Sequence, residues 1–292
     1  MSAATQPYRQ AALLAAAATG VQVGAAMVAT RFVAVEVPPA TLAMLRYAIG
    51  FLCLLPVLLW RRPARIAARD LLPVALLGIG QFGVLIALLN WGLRSVPASR
   101  GAVVFSAFPL LTMLIAAAIG QERLTARKAG GVLLTMLGIA TALEAPLAQK
   151  PGLGDLAVLA SALVGAVCSV FYRPYLRRYD TVAVGALAMA ASVMALAFYA
   201  VAEESLLGGM RSLAPSGWLA VLFIGASSGG GYIAWLWALR HAPATHVTVF
   251  LGLGPITALV LGALLLGEGF GAMALAGAVV VLIGLWVATR RT

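Results

Sequence analysis

Runs of about twenty apolar residues, broken by short stretches of Arg, Pro and Gly, recur ten times along the chain. Read between those breaks, they predict helices near residues 11–34, 40–60, 71–94, 97–119 and 127–144, and then near 154–175, 181–202, 214–239, 243–266 and 271–289. Roughly 20 such residues suffice for a helix to cross the hydrocarbon core of a bilayer. The runs are continuous and lack the period-two alternation of barrel strands, which excludes a β-barrel. Tyr8-Arg9-Gln10 before the first run looks like the basic start of a signal peptide. The apolar stretch after it is too long for the core of such a peptide and reads as a first span.

Composition agrees with this pattern. Of 292 residues, 63% are hydrophobic and 10% charged, with mean hydropathy +1.02, too few polar groups to cover a water-soluble globule. Ten spans leave only short connectors, so a soluble catalytic or nucleic-acid-binding module is excluded. The net charge of +11 then reports topology instead of a polyanionic partner. With the N-terminus inside, fourteen Lys and Arg residues fall on inside segments and five on outside ones, while Arg46 lies within the second span. Both termini are therefore expected to be cytoplasmic, in a bacterial inner membrane. Cys53 and Cys168 each lie within an apolar run without metal-ligand spacing and read as small core residues.

The chain also repeats itself. At a shift of 146 residues, half its length, Trp91, Leu93, Arg94, Pro97, Ala98 and Val103 match Trp237, Leu239, Arg240, Pro243, Ala244 and Val249. In the same register Pro109, Glu122, Gly131 and Gly138 match Pro255, Glu268, Gly277 and Gly284. Residues 1–146 and 147–292 thus read as two five-helix repeats of one transmembrane domain. Five is odd, so the second copy must cross the membrane upside down. Inverted repeats of this kind recur in transporters, whose substrate site lies between the halves near the bilayer midplane. The expected fold is an all-α integral membrane protein of ten transmembrane helices in two inverted repeats.

Arg46 in Leu45-Arg46-Tyr47, the stretch "GQERLTARKAGGVLLTMLGI" at 120–139 and "LLLGEGFGAMALAGAVVVLIG" at 264–284 resemble the drug/metabolite transporter superfamily, EamA type. The resemblance covers the whole chain and is closer in the second half; the first departs from it at Gly120-Gln121-Glu122. It implies a secondary transporter of small metabolites, commonly amino acids, and the aromatic amino acid exporters of the YddG kind are its nearest suggested branch.

Polar side chains inside spans are costly, and their positions are therefore informative. Asn and Gln occur in spans at Gln22, Gln81 and Asn90; Ser227 and Ser228 lie near the centre of span eight, and Ser161, Ser169 and Gly165 lie on span six. Spans one, three, six and eight are thus expected to line a central cavity, although such groups also serve to bond neighbouring helices at about 0.6 to 2 kcal/mol each. Tyr232 and Trp235 share a face of span eight after Gly229-Gly230-Gly231, while Phe82 and Trp91 lie on span three. Rings with a few amides and hydroxyls suit a small amphipathic ligand. Trp60, Trp218 and Trp286 read as an interfacial belt, and Trp237 fits either role.

Apart from Arg46, no Lys or Arg is expected well inside a span, so sugar phosphates and nucleotide sugars lack a clamp. Glu144, Asp155, Glu203 and Glu204 sit at span ends, which leaves no mid-membrane carboxylate to relay a proton or hold a lipophilic cation. A neutral or zwitterionic metabolite fits better, moved by facilitated diffusion or exchange. The rivals are a proton-coupled drug exporter, a channel and a membrane enzyme; for the last, no nucleophile and base pair is visible. Arg46 is expected to snorkel outward or to pair with Glu36, Glu268 or helix carbonyls, as brace, outer gate or substrate contact. Pro109 and Pro255 each free a carbonyl near mid-span and are expected to kink or hinge spans four and nine. Gly131 with Gly138, and Gly277 with Gly284, are placed to let spans five and ten pack closely. His241 and His246 read as connector residues without a third metal ligand. No metal, cofactor or nucleic acid is expected; the partners are a small-molecule substrate and the bilayer, the protein being a monomer or weak homodimer.

Overall fold

A computed structural model describes residues 6–33, 37–93, 95–96, 98–143, 152–202, 214–266 and 271–290. Among these, every regular element is helical, in ten spans. Spans one and two are Gln6–Val33 and Pro39–Arg61; span three is Ala68–Gly78 continued by a π-helix, Ile79–Val84, and by Leu85–Leu93. Span four is Ala98–Phe105 and Phe108–Ala118, and span five is Ala126–Ala142. The second half follows with Leu153–Arg178, Thr181–Ala202 and Pro215–His241 as spans six to eight. Span nine is Ala244–Val249, a 3-10 turn at Phe250–Gly252, and Leu253–Leu266; span ten is Ala272–Thr289. Nine spans are at least 18 residues long and apolar enough to cross a membrane. Span five, at 17 residues, is within the lower limit for crossing.

Local chemistry sets the ends. Pro39 and Pro215 open their helices in the first turn, where the missing N–H is not needed. The Thr125 hydroxyl accepts from the Lys128 N–H at 3.3 Å and caps span five. The Asp155 carboxylate accepts from the Gly152 N–H at 2.8 Å at the start of span six. Gly120 ends the fourth span at φ 71°, a conformation that needs no Cβ.

Spans four and nine are each broken on the N-terminal side of the equivalent prolines, at Ser106-Ala107 and at Phe250–Gly252. A proline displaces the carbonyl four residues earlier; here those are Phe105 and Leu251, at the breaks themselves. Both spans are therefore interrupted beside their prolines.

Helix packing shows how the halves relate. Span one packs on eight and nine, as span six packs on three and four; span two packs on seven and eight, as span seven packs on two and three; span five packs on span ten. Exchanging each helix for the one five places away returns the same set of packings, which is twofold symmetry between two five-helix copies. Because five is odd, the copies are antiparallel and the axis lies in the membrane plane. The boundary expected at 146/147 lies outside the described residues. At the five–ten seam, a side chain on Gly131 would meet Ala288 backbone, and one on Gly277 would meet Ala142 backbone. The expected close packing of these glycines is between the two spans themselves.

Candidate functional site

Of the residues that sequence singled out, Gln22, Arg46, Phe82, Ser227, Ser228 and Tyr232 come together where spans one, two, three and eight meet. The glycine run of span eight lets span one approach: Gln22 Oε1 stands 2.5 Å from where a Cβ on Gly231 would be. Its Nε2 donates to Ser227 Oγ at 3.3 Å, and the buried Thr19 hydroxyl, which donates to Ala15 O of its own helix at 2.9 Å, also lies 3.2 Å from Gly231 O. Gly50 of span two contacts Gly225 and Gly229, which brings Arg46 beside Ser228. Arg46 Nε donates to Ser228 Oγ at 2.7 Å. Glu36 and Glu268, the expected carboxylate partners, lie outside the described residues.

Next to this polar contact runs a chain of rings from three spans and then a fourth. Tyr47 and Phe82 centroids are 4.3 Å apart, Phe82 and Tyr232 4.5 Å, and Tyr232 and Tyr172 6.3 Å. Tyr47, Phe82, Tyr232 and Trp235 are buried, and Tyr172 wholly so. The rings pack on one another edge to face or tilted, the arrangement their quadrupoles favour. Phe82 and Gln81 sit in the π-helix of span three, whose extra residue per turn shifts both side chains relative to a plain helix. Single π turns of this kind are frequent at functional sites. Gln81 Oε1 is buried without a hydrogen-bond donor, a cost of about 1–3 kcal/mol until a donor arrives. The Tyr172 and Tyr232 hydroxyls are also buried without a hydrogen-bond partner.

Other expected residues fall elsewhere. Asn90 is half-buried and Trp91 half exposed at the far end of span three, nine and ten residues beyond Gln81, and neither joins the ring cluster. Ser161 and Ser169 donate to Val158 O and Gly165 O of their own helix, at 2.7 and 2.8 Å; their polarity is spent locally. Gly165 makes room for the Phe108 ring and Leu85. Pro109 and Pro255 mark the breaks and are not ring neighbours. Cys168 is buried as expected, whereas Cys53 is exposed on the outside of span two, where the surrounding apolar medium is lipid. Trp60 and Trp286 are exposed, and Arg290 lies 4.1 Å over the Trp286 ring, in keeping with an interfacial belt. His241 ends span eight and His246 is buried in the first turns of span nine; the connector between those helices is shorter than the one expected.

Sequence reasoning missed a second polar cluster on the membrane face that carries the termini. Glu122, its side chain 3% exposed, accepts from Lys128 Nζ at 3.0 Å and from the Thr245 N–H at 3.2 Å. Arg173 lies 3.8 Å from the same carboxylate and donates to Leu239 O and to Gln121 Oε1, each at 3.3 Å. Span six runs on to Arg178, which puts Arg173 more than one turn inside the helix instead of at its expected end. The network joins the four–five turn to the ends of spans six and eight and the start of nine. Burial alone pushes the Glu122 carboxyl up, but the Lys128 ammonium and the Thr245 N–H outweigh it and hold the group below the usual carboxylate range. The match of Glu122 with Glu268 was the available signal.

Known proteins carry the same pattern. Residues 10–143 and 152–290 each match the EamA-like transporter family. The chain is 28% identical over 271 residues to an uncharacterized transporter of Archaeoglobus fulgidus, covering 92% of this chain and 95% of that one. It is 29% identical over 233 residues, 80% of this chain and 76% of the other, to a probable terminal-alkyne amino-acid exporter of Streptantibioticus cattleyicolor. A crystal structure 24% identical in sequence superimposes with a TM-score of 0.82 over 97% of this chain and 100% of its own, a likeness of fold.

Proposed function

The chain belongs to the EamA-like transporter family, and from that premise we propose that it exports amino acids with aromatic or apolar side chains by alternating access, without proton coupling. The family makes it a multi-pass membrane transporter. Both termini face the cytoplasm in this proposal, an orientation supported by the excess of Lys and Arg on that side, and the membrane is the bacterial inner membrane.

One observation carries the reading: Arg46 and Ser228, from opposite halves, bond at 2.7 Å beside the buried rings of Tyr47, Phe82 and Tyr232. A substrate carboxylate takes the guanidinium from the Ser228 hydroxyl, because an ionised acceptor outbids a neutral one. Its ammonium supplies the donor that Gln81 Oε1 lacks, and its side chain enters between the rings. A name given to a relative, amino-acid exporter, agrees with this ligand chemistry. Rocking of the halves about the breaks of spans four and nine then turns the site from one face to the other, with the Glu122 network closing the face that carries the termini.

Transport by the purified protein in liposomes tests this. Labelled phenylalanine or leucine inside should exchange with unlabelled amino acid outside, saturably and at a rate indifferent to an imposed proton gradient. Concentrative movement driven by that gradient overturns the uncoupled mechanism, and exchange of sugar phosphates but not amino acids overturns the substrate class.

A further inference from the structure

Away from the ring cluster, spans three and six leave a groove of about 480 Å³ between them, lined by residues from Pro73 to Gly80 on one helix and from Leu163 to Tyr175 on the other. Its walls are apolar, and Leu76, Leu163 and Phe171 are each about half exposed along it, so it opens sideways, towards lipid. At 1.5 Å per residue the lining stretches are about 10 and 18 Å long, comparable to one leaflet of a hydrocarbon core about 30 Å thick. It runs from the membrane face that carries the termini down to the level of the π-helix.

The charge at its mouth is what separates this groove from any other lipid-facing crevice. Arg69 lies four residues before Pro73, and Arg178 three residues after Tyr175, so each stands on the same helical face as its wall, at the headgroup end. Both are exposed, as are Arg65 and Arg177 nearby. Asp70 is the carboxylate at this mouth; it accepts from the Tyr179 hydroxyl at 2.5 Å and lies 3.8 Å from Arg178. Asp180 is occupied with the N–H groups of Val182 and Ala183. Four guanidinium groups against two committed carboxylates leave a net positive rim above an apolar trough.

We propose that this groove is a binding site for one anionic phospholipid, an acyl chain lying between spans three and six and the phosphate held by Arg69 and Arg178. The two walls come from different halves of the molecule, and the floor is made by Gly80 and Cys168, whose Sγ stands 3.0 Å from where a Cβ on Gly80 would be. Gly80 directly precedes Gln81 in the π-helix. A chain seated on Gly80 therefore wedges the junction of the halves and backs the turn that holds Gln81 and Phe82. Lipid bound here acts on the same joint that alternating access must move, but the binding itself does not depend on what the protein transports.

Native mass spectrometry of the purified protein, titrated with phosphatidylglycerol and phosphatidylcholine of identical acyl chains, tests the site. Wild type should retain one phosphatidylglycerol in preference to phosphatidylcholine by roughly thirtyfold, the order of effect that two arginines near a membrane surface produce. Arg69→Gln with Arg178→Gln should bring the two lipids to near equality while far-UV circular dichroism is unchanged. Leu76→Trp, at a half-exposed position on the wall, should weaken retention of both. Equal retention by wild type, an undiminished preference in the double variant, or wild-type retention by Leu76→Trp would each overturn the proposal.

Discussion

Arg46 Nε and Ser228 Oγ, 2.7 Å apart, join the second helix of one half to the third helix of the other. Ser228 is the guanidinium's hydrogen-bond partner, and on the proposed function it would compete with a substrate carboxylate. Arg46→Gln should therefore raise KM for amino acids about tenfold or more, since a charge-assisted bond is lost, whereas Arg46→Lys should recover only part of it because the planar fork is gone. Ser228→Ala should do the opposite. With its competitor removed, the guanidinium binds substrate more tightly, and KM should fall by about fivefold, the equivalent of one neutral hydrogen bond of about 1 kcal/mol. Exchange kinetics in liposomes read all three, and a raised KM for Ser228→Ala would count against the competition.

Tyr232 separates two roles that its side chain combines. The ring packs on Phe82 at 4.5 Å, while its hydroxyl is buried without a well-formed bond. Tyr232→Phe keeps the ring and removes an unsatisfied group, so thermal stability should hold or rise by about 1 kcal/mol and transport of aromatic amino acids should persist. Tyr232→Ala leaves a cavity beside Phe82 and should cost about 3–5 kcal/mol, along with a shift in selectivity towards bulkier side chains. Thermal melts alongside a substrate panel distinguish the two variants.

The Glu122 cluster gives a pH dependence with a definite sign. Its carboxyl in the folded protein lies below the ordinary value, so the stabilisation is fully present above the unfolded carboxylate pKa, about 4.3. It is lost as pH falls through the lower folded value. Wild type should lose thermal stability in that acid window, and Glu122→Gln should be less stable near neutrality and lose less on acidification. Parallel curves for the two proteins would remove Glu122 from the latch.

How much of this was legible beforehand follows from which forces act locally. The ten helices, their ends within a few residues and the antiparallel repeat were readable, because lipid forces every buried backbone group into a helix and the repeat left Trp, Pro, Glu and Gly in register. Gln22, Gln81, Phe82 and Tyr232 stand out in sequence as polar or aromatic exceptions in apolar runs, and they lie close to the junction of the halves. What stayed hidden needed a partner from the other half. Nothing near Arg46 in sequence names Ser228, 182 residues away. Ser161 and Ser169 looked like cavity groups only because a hydroxyl bonded to its own helix reads the same as one that is not. The π turn at Gln81 leaves no mark in an apolar run, and Arg173 was expected at the end of span six because helix ends are set by capping and tertiary contacts that apolar runs do not record.

Two adjacent glycines make a matched test of the seam between spans five and ten. Gly130 and Gly131 occupy the same turn of span five, but a Cβ on Gly130 has open space for 4 Å around it, whereas one on Gly131 would overlap the backbone of Ala288. Gly130→Ala should leave the protein as stable or more so, by up to about 1 kcal/mol, because alanine gives up less backbone freedom in a helix. Gly131→Ala gains the same propensity and still should be destabilised, by about 1–3 kcal/mol, because the added methyl has to push span ten outward. Since both substitutions add the same methyl to the same helix, their difference isolates the interhelical contact. Comparable melting points for the two variants would mean that the antiparallel copies do not meet backbone to backbone at this seam.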